Sequence, residues 1–376
     1  MTTATSTSSL NAEKHTLAIV KNAASRYFSV IDLEAKEVID RLGDGRYPHT
    51  AVFHPNGRYA YLLYISSAHL EVVDLATLDT VGTVENLGTM SVGSALTDDG
   101  EYLFIGTGVA LPETDSPGIL AFEIGANGIP KRVGSRVLSR CSGMQIGHDG
   151  RLYVALKEAG EVIALSSDRT LEIEDRYTVG TKPHDLYPIP GTNRLVVNNA
   201  GEASASVIDP NTDVVHEIST GENPHGIAFD STQSARRAVF PAREETCVTI
   251  ANLGAVDENN DPTEARLEVG TTTGFAATSP NGRYVIVDAY DAPYVTIIDV
   301  TTPEVKRTVT VGGEPLHVVF GPDGRECYVG NMDRSELAVL DTEPLLDGRP
   351  DDVELDCHIE GLGEKPSGIF IPEVIA

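Results

Sequence analysis

Apolar residues along this chain come in short runs, each closed by Gly, Pro, Asn or Asp, which is the pattern of β-strands joined by tight turns. The clearest stretch covers residues 45–73, GRYPHTAVFHPNGRYAYLLYISSAHLEVV. It predicts a turn over residues 45–48, a strand through 51–53, a tight turn at Pro55-Asn56-Gly57, and strands over 59–64 and 70–73. A further run over residues 80–84 completes a four-stranded antiparallel unit.

The unit recurs. GENPHGIAFDS begins a copy at Gly221, TTTGFAATSPNGRYVIVDAYDAPYVTIIDV another at Thr271, and GGEPLHVVFGPDGRECYVGNMDRSELAVLD a third at Gly312, with weaker copies near Ser91, Cys141 and Lys182. The period of about 40 to 50 residues is that of propeller blades with four strands each. The chain begins in mid-unit: residues 15–20, 27–33 and 36–41 supply three strands with no first strand before them. GEKPSGIFIP, residues 363–372, is a first strand with nothing after it. The two ends therefore complete one blade together, and seven internal copies plus this shared one predict an all-β, eight-bladed propeller over residues 14–376, behind a flexible tail at 1–13.

These units resemble the YVTN-repeat β-propellers, in which a Pro-Asp/Asn-Gly-Arg turn precedes a Tyr-Val strand and a Val-Ile-Asp strand follows. Pro280-Asn281-Gly282-Arg283-Tyr284-Val285 with Ile297-Ile298-Asp299 carries the likeness, as do Pro322-Asp323-Gly324-Arg325 and Tyr328-Val329. The resemblance implies the fold; the family is functionally mixed, so it implies no reaction.

Composition narrows the function classes. A net charge of -28 repels phosphate backbones and argues against nucleic-acid binding. The opening MTTATSTSSLNAEK has no apolar segment, and no later run is long enough for a bilayer, so the expectation is a cytoplasmic protein without a membrane role. Cys141, Cys247, Cys327 and Cys357 lack paired short spacing and read as free thiols. Dense acid over residues 254–264 and 347–356 lacks the spacing of a calcium loop and reads as solvated surface.

In a propeller, the loop leading into the innermost strand and the loop between strands two and three open on one face. On that near face four blades repeat one residue type: Pro48-His49, Pro183-His184, Pro224-His225 and Pro315-Leu316-His317. Arg140-Cys141 and Lys365-Pro366-Ser367 take the equivalent place in two other blades, while small residues near Ser91 and Thr273 leave space. Imidazole is a common ligand for iron, copper and zinc, and a His side chain reaches roughly 6 Å with about 2 Å more for the metal bond. The spacing therefore predicts one transition-metal ion at the channel mouth, held by His49, His184, His225 and His317. A plainer reading sits beside it, in which Gly-x-x-Pro-His is a copied turn whose His bonds neighbouring backbone.

The second set of near-face loops supplies Lys157, Arg243 and Tyr290 as candidate catalytic groups, with Lys182, Arg140, Asn198-Asn199 and Asn331-Met332-Asp333-Arg334 nearby. Cations around a His cluster suit an anionic or carbonyl-bearing small molecule. The longer loop over residues 107–117 is positioned to fold over the mouth. The function expected is a metal-dependent lyase, hydrolase or oxidoreductase acting on a small-molecule substrate; the alternative is a non-catalytic propeller binding a protein or small ligand through one face. Inward histidines resemble copper-enzyme propellers in principle, though those carry more of them. The eight-bladed haem-d1 domain of nitrite reductase is another analogue, implying one axial His and several Arg.

Overall fold

The computed structural model describes residues 16–230, 237–256 and 261–372. It consists of eight four-stranded antiparallel sheets arranged as the blades of a propeller. In blade 1 the strands Leu17–Asn22, Phe28–Asp32 and Glu37–Leu42 are joined by Pro366–Phe370 from the other end of the chain. Ile19 pairs with Phe370 and Val20 with Ile369, so the last strand is innermost and both ends of the chain close one blade. Backbone bonds from Ala23 and Ala24 to Lys365 and Glu364, at 2.9 and 3.1 Å, extend the seam. His15 and part of the acidic stretch at 254–264 lie outside the described residues.

The apolar runs are explained by where each strand sits. Second strands such as Tyr59–Tyr64 and Leu152–Leu156 are buried along their whole length, because a blade is covered on both faces by its neighbours. Outermost strands such as Thr263–Glu268 alternate between exposed and half-buried positions. The core is divided into eight clusters, each shared by two adjacent blades; Tyr284, Ile286 and Val295 of blade 7 pack on Cys327, Val329 and Ala338 of blade 8. The eighth cluster joins Ala18, Val20 and Ile31 of blade 1 to Tyr328, Leu337 and Val339 of blade 8, which closes the ring. Without Trp, buried Tyr61, Tyr64, Tyr153 and Tyr284 are among the largest core side chains.

The repeated turn motif has a structural cause. Gly57 and Gly282 adopt φ of 70° and 71°, which a Cβ would strain. Asn56 and Asn281 accept a hydrogen bond from the backbone N–H two residues on, at 2.9 and 3.1 Å. Arg58 and Arg283 then donate to the buried carboxylates of Asp74 and Asp299 at the end of the third strand, each Nε at 2.9 Å. The Asn-Gly-Arg to Val/Ile-Asp signature is thus a clamp on the far face of these two blades. All four cysteines are free.

Candidate functional site

Each innermost strand begins at the near face, and there its pairing is interrupted. The register shifts between Pro48 and Thr50 in blade 2, between Pro183 and Leu186 in blade 5, and between Leu316 and Val318 in blade 8. The residues skipped are His49, His184 with Asp185, and His317. In blade 6 an isolated bridge between Pro224 and Ala242 precedes the short strand Ala228–Phe229, leaving His225 in the same place. A bulge frees a side chain from the pleat and re-aims it, and here the repeated Pro-His dipeptide marks those bulges. His317, one position further from its Pro than the other histidines, holds φ of 65°, a costly conformation for a non-glycine residue.

Five consecutive blades form an arc of rings. His184 meets His225 edge-on with centroids 4.9 Å apart, His225 lies 5.0 Å from Phe275, Phe275 5.0 Å from His317, and His317 6.3 Å from Phe370. The space expected near Thr273 is therefore filled: Thr273 is buried and bonded to Ala242 across the blade gap, and Phe275 takes the slot.

At one end of the arc sits Asp185, which the sequence reading passed over. Its Oδ1 lies 3.1 Å from His184 Nδ1, while Oδ2 is bonded to His225 Nδ1 and accepts the Gly226 N–H at 2.9 Å. Burial opposes its ionisation, yet the neighbouring His225 and His184 hold its carboxyl well below the usual range. An ionised carboxylate only accepts, so both imidazoles donate from Nδ1, which leaves the lone pair of a neutral ring on Nε2. Burial lowers the His225 pKa, against the pull of Asp185, and keeps that ring neutral. Among the described residues, the group whose ligand atoms lie within 4.8 Å of one another is His184, Asp185 and His225.

His49 and His317 fall outside that group. Burial, with Lys21 and His184 adding repulsion, pushes His49 down to about 3; burial and Lys21 do the same to His317, also to about 3. His317 Nδ1 accepts the Ile369 N–H at 3.3 Å, so the neutral ring carries its proton on Nε2 and presents a donor. The carboxylate of Asp288 pins this corner by accepting the N–H groups of Gly274, Phe275 and His317 at 2.7, 3.0 and 3.3 Å. Burial pushes Asp288 up to about 6, with those donors pulling the other way.

Arg243 and Tyr290 meet at the mouth, the guanidinium 5.4 Å from the Tyr290 ring and 5.8 Å from Phe275. Burial raises the Tyr290 hydroxyl to about 12, Arg243 acting against it. Lys157 is lowered by burial and then by Arg140, with Asp185 among the charges it feels. Other near-face residues are structural: Asn198 donates to the Gly226 carbonyl at 2.9 Å, Asn199 to Ser204 and Ser206, and Asp333 accepts the Glu314 N–H at 2.8 Å. The loop over 107–117 leans away from the mouth, because Glu113 is gripped at 2.6 and 2.7 Å by Arg132 on the outermost strand of its own blade. In the acidic stretch near residue 350, Asp347 and Asp352 pair with Arg349.

Fold and site together define an eight-bladed β-propeller with a histidine-lined near-face mouth. No family model matches the sequence, and no curated protein matches it, so the YVTN likeness rests on its motifs. Solved structures do match. The dihydro-heme d1 dehydrogenase NirN in complex with DHE superposes with a TM-score of 0.79 at 19% identity, over 96% of this chain and 76% of that one. The periplasmic gluconolactonase PpgL of Pseudomonas aeruginosa gives 0.63 at 14% identity, over 96% and 99%. Hydrazine synthase of Kuenenia stuttgartiensis gives 0.55 at 18% identity, over 76% and 92%. At these identities the likeness is one of fold.

Proposed function

We propose that this protein is a small-molecule enzyme whose active site is the near-face mouth, with His184 and His225 presenting Nε2 to one transition-metal ion. The observation that carries this reading is that Asp185 accepts a hydrogen bond from each of the two Nδ1 atoms. A carboxylate behind an imidazole fixes its tautomer and raises its basicity, the arrangement that supports metal-bound histidines. Two open imidazole nitrogens beside a carboxylate suit iron, copper or zinc. Zinc would supply Lewis-acid chemistry, and iron or copper electron transfer as well. Around it, Arg243 and Lys157 offer positive charge to the substrate, and Tyr290 and His317 Nε2 offer hydrogen-bond donors.

A second reading is favoured by one observation. The superposition on NirN is much closer than on the other two structures, and NirN is named for a haem-type compound. In that reading the metal would arrive inside a macrocycle, and His184 or His225 would be the residue to hold it. Metal analysis and an absorption spectrum of the untagged protein, before and after adding haem, separate the two. A bound ion without a Soret band supports the first; a Soret band that moves in His184→Ala or His225→Ala supports the second. Protein that binds neither contradicts both and leaves a propeller that binds a ligand without metal chemistry.

A further inference from the structure

Lys21 belongs to blade 1 and is paired with Gly368 on the innermost strand. A Cβ at Gly368 would meet Lys21 Cε at 3.1 Å, so the missing side chain is what lets the lysine pass over the inner strand toward the channel. Its charge acts on His49 in blade 2 and on His317 in blade 8, and it is itself acted on by Arg243 in blade 6. Contacts link the same corner: the Arg243 guanidinium lies 5.8 Å from the Phe275 ring, Phe275 5.0 Å from His317, and His317 accepts the N–H of Ile369, next to Gly368. Among the described residues Lys21 has no ion pair, and Asp185 and Asp288, the buried acids nearby, are already engaged by His184, His225 and backbone N–H groups. Arg243 Nε is buried with no acceptor.

Two half-buried cations with no ion pair among the described residues are expensive, since desolvation and mutual repulsion both oppose them. Burial, and then the charge of Arg243, lowers Lys21 to about 8, which keeps the ammonium form dominant at neutral pH. A site that retains two such charges is built for a ligand that brings the opposite one. We infer that Lys21 and Arg243 form an anion subsite in the channel mouth that takes a carboxylate of the substrate, with His317 Nε2 as a neutral donor beside it. The planar fork of Arg243 matches a two-oxygen carboxylate, and Lys21 closes on it from the opposite side of the channel. This rests on the near-face mouth being the ligand site, and it does not require the metal.

Malonate is a suitable probe, with uncharged malonamide of similar shape as control, measured by calorimetry on chelator-stripped protein. The wild type is expected to bind malonate and ignore malonamide. Lys21→Met and Arg243→Met should each weaken malonate at least about tenfold, the scale of one lost charge-assisted bond. Lys21→Met should also raise the thermal midpoint, because an enclosed unpaired charge is removed; this shows that the variant is folded. The His184→Ala/His225→Ala protein, also metal-free, should bind malonate like the wild type, which separates this subsite from the metal reading. Equal binding by Lys21→Met, equal binding of malonamide, or malonate binding only after metal is restored would each overturn the assignment.

Discussion

The side chain that organises the site is Asp185, and its role is testable apart from the imidazoles. In Asp185→Asn one oxygen is replaced by a donor facing a ring N–H, so one imidazole loses its orientation. Metal affinity, followed by competition with a chromophoric chelator, should fall about 10- to 100-fold while the fold persists. Acid should act on His49 and His317. Both are held neutral to about 3 in the folded state, far below the 6.5 of a free imidazole. The unfolded chain therefore binds more protons, and the stability these rings contribute is full above about pH 6.5 and lost as pH falls toward 3, by ~1.4 kcal/mol per ring per pH unit. Asp288, raised to about 6, works in the opposite sense and gives stability back as pH falls through that value. Replacing both histidines by Gln should flatten the acid limb of denaturant-measured stability between pH 6.5 and 4; an unchanged limb would show that the rings titrate freely. The histidines were legible in the sequence because Pro-His repeats at one place in the unit. Asp185 was not, since adjacent strand residues point to opposite faces and only a bulge spanning both lets them share one.

At the scale of the strand, the bulges are what turn a structural repeat into a site. Their geometry depends on close approach between blades. Gly143, skipped where the blade 4 register shifts between Cys141 and Met144, has room for no side chain: a Cβ there would lie 2.2 Å from the His184 carbonyl oxygen and 3.0 Å from Leu186 N. Gly143→Ala should push the inner strand of blade 5 outward, costing about 1–3 kcal/mol of stability as overpacking does. If the proposed metal binds, this change should also lower its affinity without replacing a ligand, whereas alanine at solvent-facing Gly191, with no atom within 4 Å, should leave that affinity unchanged. Strand order and turn types were readable from apolar runs and Asn-Gly punctuation. The loop over residues 107–117 was not, because Glu113 in it meets Arg132 on the outermost strand, a pairing across 19 residues that no local pattern encodes.

For the whole molecule, closure by Pro366–Phe370 decides whether the ring is one cooperative unit. Truncation after Gly363 would uncover the edge of Leu17–Asn22 and the cluster containing Tyr328, Leu337 and Val339. The truncated chain should lose its single sharp unfolding transition; an unchanged calorimetric profile would mean that the terminal strand is dispensable. The same closure brings Lys21 and Ser367 of blade 1 to the mouth that blades 5, 6 and 8 line with histidine, so the site belongs to the ring and to no single repeat. The most direct test of that site is the count of nitrogen ligands on copper(II) added to the metal-free protein, read from hyperfine structure in its electron paramagnetic resonance spectrum. Two imidazole nitrogens are predicted in the wild type, one in His184→Ala or His225→Ala, and none in the double variant. A count unchanged by these substitutions, or no protein-bound copper at all, would contradict the account.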